Sequence, residues 1–351
     1  MVRRGRSRQK KKRTGAAGFF FFLFLLVVAA VGAAEWFVFL PSGPSIETFV
    51  EIKPGSGSRT IAVELERSGI IRSRYGFDAV RLWKEGSLKA GEYRFDHAAP
   101  VTEVYSRIAK GDVYTVAVTI PEGSTRFDIA ARMAQAGFVN KEDFLAATAN
   151  ATSLIADLDP HARSLEGYLF PDTYRFQRKA TSLQIVTAMV RRFRAVAAEI
   201  GLTPGGGSRN VHDVVTLASL VERETAVDAE RPEVASVLTN RLAKGMPLMT
   251  DPAVIYGLQV EGKWRGTIYQ SDLTRDTPYN TYRHAGLPPG PIANPGLPAL
   301  RAAETPAATN YLYFVAAGAD PQGKSRFAAT LEEHNKNVAS YRQAVKEAGG
   351  R

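Results

Sequence analysis

The segment Gly15–Ala34, GAAGFFFFLFLLVVAAVGAA, runs for 20 residues without a charged side chain. At 1.5 Å per residue a helix of that length covers the ~30 Å of hydrocarbon in a bilayer, and a helix that is apolar on every face has no stable place in water. The run is therefore expected to span a membrane. Eight cations (Arg3, Arg4, Arg6, Arg8, Lys10, Lys11, Lys12 and Arg13) precede it, and Glu35 is the first charge after it. This asymmetry keeps the N-terminus in the cytoplasm and sends the remainder outward, with Trp36 and Phe37 at the far interface. The competing reading is a cleaved signal peptide with its cleavage site in Val31–Ala34. Against it, the apolar run exceeds the ~7–15 residues of a typical signal core and continues through WFVFL.

The chain has 351 residues and a formal charge of +10, from 45 Lys+Arg against 35 Asp+Glu. Eight of those units lie in the tail, so the rest carries about +2 and is nearly neutral. No recognition motif or interleaved aromatics accompany the basic run, so no nucleic-acid partner is expected. Anionic lipid head groups attract such a tail at ~1 kcal/mol per cation. A hydrophobic fraction of 45% fits about two cored domains. The absence of cysteine excludes disulfides, a thiolate nucleophile and Cys-ligated zinc.

Beyond a linker at 41–47, two segments repeat at an offset of 68: IKPGSGSRTIAVELERSGII (52–71) and IPEGSTRFDIAARMAQAGFV (120–139). Each reads as a strand, a Gly/Ser turn, an amphipathic helix and a Gly at a left-handed C-cap. The strand followed by a helix beginning T-I-A resembles the LysM type of glycan-binding module. Downstream, Thr181 to Gln184 forms a capping box for a helix reaching Ile200, Asn210 caps the helix through LASLVERET, and Pro232 opens a third helix. The expected fold class is α+β. Its parts are a basic tail (1–14), a transmembrane helix (15–40), a linker (41–47), a LysM-like module (48–115), a second small α/β module (116–160) and a catalytic domain (161–347).

Five dispersed histidines form no ligand motif, so no metal is expected, and no nucleophile elbow, P-loop or dinucleotide fingerprint occurs. Carboxylates remain. In LASLVERET (217–225), Glu222 and Glu224 lie about 200° apart around a helix and cannot serve one cleft as a pair. Glu224 follows Leu220 and Val221 at the spacing that places apolar side chains beside its carboxyl, which would raise its pKa as a general acid needs. A solvated helix flank would also account for both acids. The long loop YNTYRHAGLPPGPIANPG (279–296) offers Tyr279, Asn280 and Tyr282 for stacking on and hydrogen-bonding a sugar, or equally for building a rigid turn.

Seven blocks carry a closer likeness: LEGYLFPDTY (165–174), LASLVERETAV (217–227), RPEVASVLTNRL (231–242), GMPLMTDPAVIYGL (245–258), DTPYNTYRHAGLPPGPIANPG (276–296), AAETPAATNYLYFVA (302–316) and LEEHNKNVASYR (331–342). Across them the chain resembles the YceG-like endolytic murein transglycosylases. That resemblance implies an enzyme of the bacterial inner membrane, its catalytic domain in the periplasm, cleaving MurNAc–GlcNAc bonds within peptidoglycan strands to leave 1,6-anhydroMurNAc ends. It implies one catalytic Glu in VERET, assigned to Glu224 with Glu222 in reserve, and no cofactor. Substrate contacts are expected at Asn280 and Tyr282, and further ones at Tyr256 and Tyr279. Asp251, Asp272 and Asp276 stand as second acids should the enzyme instead hydrolyse, and Glu166 reads as part of a structural loop. Peptidoglycan glycan strands, inner-membrane lipid and peptidoglycan synthases are the implied partners. Where the family pattern carries His before the last helix, this chain has Ser325 in GKSRF. The rival readings are a wall-binding scaffold without catalysis and a hydrolytic muramidase.

Overall fold

The structure, a computed structural model, describes residues 14–84, 86–204, 209–320 and 323–349. The basic tail through residue 13 and most of the PGGGS loop lie outside the described residues. The chain divides into two compact units, one ending at Thr115 and the other beginning at Val116.

In the first unit α1 (Thr14–Ala34) continues through a wider π turn, Glu35–Phe39, and the stretch Gly18–Phe39 is long and apolar enough to cross a membrane. A βααβ module follows: β1 (Thr48–Ile52), α2 (Ser58–Arg67), α3 (Arg74–Trp83) and β2 (Gly91–Phe95), then α4 (Val101–Lys110). β1 and β2 pair antiparallel from Thr48 opposite Phe95 to Ile52 opposite Gly91. Strand alternation sends Val50, Ile52, Tyr93 and Phe95 inward, where they meet Ile61, Ala62 and Leu65 of α2. Within residues 41–47, read from sequence as a linker, Ser42 is fastened to this module. Ser42 and Ala99 exchange backbone hydrogen bonds of 3.0 and 2.9 Å, because Gly43 lets the chain lie directly against Ala98.

The second unit repeats the βααβ order with β3 (Val116–Thr119), α5 (Arg126–Gln135), α6 (Lys141–Asn150) and β4 (Thr173–Phe176), again with the outer strands antiparallel. A capping box between Thr125 and Asp128 starts α5. Gly69 and Gly137, which end the paired helices, both adopt left-handed backbone, at φ +68 and +77. The strand that closes this copy lies beyond residue 160. The intervening loop, which carries LEGYLFPD, is inserted between its second helix and its last strand, so the module shares one core with the helices that follow.

Those helices are α7 (Ser182–Glu199), capped by Thr181 and Gln184, α8 (Val211–Glu224), capped by Asn210, α9 (Arg231–Ala243), α10 (Asp251–Val260), α11 (Gln270–Leu273) and α12 (Leu297–Glu304). A β5 (Tyr313–Ala316) and β6 (Ser325–Ala328) hairpin precedes α13 (Leu331–Gly349). α8 is the central helix. Every residue from Val214 to Val221 is buried, and α8 packs on α9, α10 and α12. Its last turn, Glu222-Arg223-Glu224, leaves the core as a charged end on a fixed apolar shaft.

Candidate active site

Glu224 ends α8 half-buried, and among the described residues no side chain hydrogen-bonds to it or pairs with it. It lines two cavities. One, about 170 Å³, is bounded by Phe314, Val315, Ala316 and Ser325 of the β5–β6 hairpin. The other, about 340 Å³, is bounded by Glu122 and Gly123 of the β3–α5 turn together with Arg223 and Arg231. Burial, reinforced by the negative charge of Asp251, pushes the Glu224 carboxyl up to about 7, against the opposing cations of Arg241 and Arg223. At neutral pH such a group both gives and takes a proton readily.

Glu222 is employed quite differently. Its Oε2 accepts from Arg231 Nη1 at 2.6 Å and from the backbone N–H of Gly296 at 2.9 Å, and the two charged side chains are only 5% and 4% exposed. Arg231 also reaches Asp228 at 2.9 Å and Glu122 at 3.8 Å. A cation at the first position of α9 opposes the helix dipole, so these acids account for its presence there. The pair ties the end of the 279–296 loop to α8.

A second buried hub holds the same loop from the other side. The Glu166 carboxylate accepts from the Arg126 backbone N–H at 3.0 and 3.1 Å and from Asn294 Nδ2 at 2.7 Å. Burial pushes its carboxyl up to about 7, with the Arg126 contacts and the Tyr256 hydroxyl opposing the rise. Asn294 donates to Ser124 O and accepts from Leu169 N–H, and Ser219 Oγ on α8 accepts from Ile292 N–H. One amide and one carboxylate thus join the β3–α5 turn, the LEGYLF loop and the long loop. Gly167 makes their close approach feasible: its φ is +87, and a Cβ there would fall 2.5 Å from Pro291 Cγ. Gly167→Ala is therefore expected to lose about 2–4 kcal/mol in denaturant unfolding, from left-handed strain and overpacking together.

A profile of the YceG-like family matches residues 50–340. The chain belongs to the YceG-like family. It is 34% identical over 309 residues to a Bacillus subtilis protein named endolytic murein transglycosylase, covering 83% of this chain and 84% of that one. A protein of the same name from Streptococcus pneumoniae is 30% identical over 323 residues, 58% of its own length. The crystal structure of a yceG-like protein from Listeria monocytogenes superposes with a TM-score of 0.54 at 34% identity, covering 83% of this chain and 98% of that one.

Within this family member the residues singled out from sequence fall into two groups. Around Glu224 stand Arg241, Asp251 and Tyr282: the Tyr282 hydroxyl donates to Asp251 Oδ1 at 2.6 Å, and the charges of Arg241 and Asp251 both act on Glu224. Tyr256 and Tyr279 belong to the Glu166 hub instead, edge to face at 5.0 Å, with the Tyr256 side chain buried. Asn280 lies fully inside the loop. Its amide donates to Leu273 O at 3.0 Å and Arg275 O at 2.6 Å, and its Oδ1 accepts from Tyr282 N–H. Asp272 is buried at the start of α11 beside Arg265, and Asp276 pairs with His284. Ser325 lines the hairpin cavity beside Glu224, and its N–H donates to Glu230.

Sequence reasoning passed over Arg241, Arg231, Asn294 and Glu122. Arg241 is fixed by Leu312 O and Leu248 O, a pairing across 71 residues that no local pattern announces. Glu122 carries a carboxyl raised by burial and by the charge of Glu222, and it faces the larger cavity. Met249, at φ +55, bends the chain just before Asp251; its N–H bonds to Thr281 O.

Proposed function

We propose that this chain is an endolytic murein lytic transglycosylase in which Glu224 alone acts as acid and then base. The observation that carries the reading is a half-buried carboxylate, raised to about 7, that stands at the junction of two cavities and has no hydrogen-bonding or ion-pairing partner among the described residues. A glycan strand laid across that junction would have sugars on both sides of the scissile bond, as cutting within a strand requires. The names of the Bacillus and Streptococcus relatives support the substrate class.

In the first half-reaction the protonated carboxyl of Glu224 gives its proton to the glycosidic oxygen, and the MurNAc N-acetyl oxygen assists departure of the GlcNAc hydroxyl. In the second, the Glu224 carboxylate removes the proton of the MurNAc C6 hydroxyl as O6 bonds to C1, closing the 1,6-anhydro ring. No water enters. Because the nucleophile belongs to the substrate, a second carboxylate at the ~5–5.5 or ~6.5–9.5 Å separation of ordinary glycosidases is not required. Arg241 stabilises the carboxylate between the two steps, while Asp251, held by Tyr282, favours the protonated state. In this reading Asn280, Tyr256 and Tyr279 shape the cleft from behind, and Tyr282 is the aromatic nearest the substrate.

The anchored topology belongs to the same proposal: α1 crosses the bacterial inner membrane, the cations stay in the cytoplasm, and the catalytic unit works in the periplasm. The βααβ module of the first unit is a LysM-like glycan contact in this scheme, with peptidoglycan synthases as neighbours. Purified sacculi digested by the protein in H2 18O test the chemistry by mass spectrometry. Anhydro ends free of 18O are expected, whereas reducing MurNAc ends carrying 18O would mean hydrolysis. Binding without new ends would leave only a scaffold.

A further inference from the structure

α3 has two apolar faces, and only one has a partner. Gly76, Phe77 and Val80 pack into the core of the first unit. Tyr75, Ala79, Leu82 and Trp83 follow the i, i+4, i+7, i+8 spacing of a second stripe, and Tyr75, Leu82 and Trp83 are 68%, 91% and 67% exposed. Single exposed apolar residues are commonplace, but three large ones sharing a helical face are not.

The stripe adjoins the end of the apolar helix. Phe39 meets the Trp83 ring edge to face at 6.5 Å, and α3 lies so close to the π turn that a Cβ on Gly76 would fall 2.6 Å from Phe37 O. Val38 is buried in the core of the unit. Arg72 staples the joint: it donates to Trp36 O at 2.8 Å, Leu40 O at 3.0 Å and Pro41 O at 2.9 Å, with its guanidinium 4.6 Å above the Trp36 ring. Four contacts from one side chain, three of them hydrogen bonds donated to carbonyl oxygens at a helix end that needs donors, make a rigid connection and not a swivel. Trp36, Phe37 and Phe39 remain 52%, 40% and 45% exposed, so the aromatic rim of α1 and the stripe of α3 form one continuous surface. Arg74 borders the stripe with its guanidinium 5.0 Å from the Tyr75 ring, Arg81 is tied to Gly86 O and the Tyr105 hydroxyl, and Asp78 is the only acid on α3.

We propose that α3 is an interfacial helix whose Tyr75–Leu82–Trp83 face lies among the head groups and upper acyl chains of the outer leaflet of the bilayer that α1 crosses. This rests on the anchored reading above. Tyr and Trp favour that zone, and Arg74, its guanidinium beside the exposed Tyr75 ring, is placed to meet lipid phosphates while its stem stays on the apolar side. The βααβ module is thereby seated on the membrane surface at a fixed height instead of hanging from a flexible tether.

Because the chain has no cysteine, single labels report each position directly. Full-length Val27→Cys, Arg59→Cys and Leu82→Cys proteins, each carrying an environment-sensitive fluorophore, are reconstituted into phosphatidylethanolamine/phosphatidylglycerol vesicles. Quenching by brominated acyl chains is compared with quenching by aqueous iodide. The label at 82 is expected to emit to the blue and be quenched by bromolipid near the interface, with 27 deep in the bilayer and 59 open to iodide. If 82 is as open to iodide as 59 while 27 is lipid-buried, the anchor stands and the seated helix is overturned. If 82 is shielded from both quenchers, protein such as a second copy covers the face, which also overturns it. A label at 27 open to iodide removes the anchored reading and this inference together.

Discussion

Glu224→Gln is expected to lower glycan cleavage by about 10²–10⁴-fold, the usual worth of a positioned acid/base, while the protein becomes more stable. The stability gain has a definite sign. The native Glu224 carboxyl holds its proton to about pH 7, whereas in the unfolded chain it loses it near 4.5. Between those values the native state binds more protons, so any stabilisation from this group is present below about pH 4.5 and lost as pH rises through 7. Gln carries no such burden. The advantage of the variant should be near zero at pH 4.5 and grow to about 1–3 kcal/mol above pH 7, or several degrees in melting temperature. Thermal melts of both proteins at pH 4.5 and 8 measure it, and an equal difference at the two values would contradict a raised Glu224. The wild-type kcat/KM should fall on the alkaline side of about pH 7 as the required acid deprotonates.

Arg231→Met should behave in the opposite manner and cost about 3–5 kcal/mol. The substitution leaves the Glu222 carboxylate, 5% exposed, without its cation in a site that cannot hydrate it. The loss extends to the loop, since the same Glu222 oxygen holds Gly296 N–H. Urea unfolding should show a lower midpoint, and cleavage should fall at temperatures where the variant is still folded, because residues 279–296 lose the fastening of their C-terminal end to α8. Replacing both partners with apolar residues, Glu222→Leu with Arg231→Met, should recover a large part of the stability, since burying two charges is itself expensive. A single variant no less stable than wild type would mean that the pair holds nothing together.

How far the sequence could be read depended on how local each cause was. The capping box of Thr181 with Gln184, the N-cap Asn210, the left-handed Gly69 and Gly137 and the helix starting near Pro232 were all legible because each is decided within a few residues. The 68-residue repeat also anticipated the paired helices beginning at Ser58 and Arg126. The position of the second module's closing strand was not legible, because an inserted loop carries the chain from α6 to β4. In the site, helical geometry showed that Glu222 and Glu224 face different ways. Which of them is unpaired depended on Arg231 and on Gly296, 74 residues along the chain. The inward amide of Asn280 and the Glu166 hub likewise follow from partners that only the fold brings near.

The distinction between the two acids is also what can be measured most directly. Wild type, Glu222→Gln and Glu224→Gln are incubated with purified sacculi at pH 6.5, below the melting temperature of the least stable, and 1,6-anhydroMurNAc ends are counted by mass spectrometry. Glu222→Gln should produce them at a reduced but measurable rate and Glu224→Gln should produce essentially none. Cleavage that survives in Glu224→Gln and disappears in Glu222→Gln would contradict the assignment of Glu224.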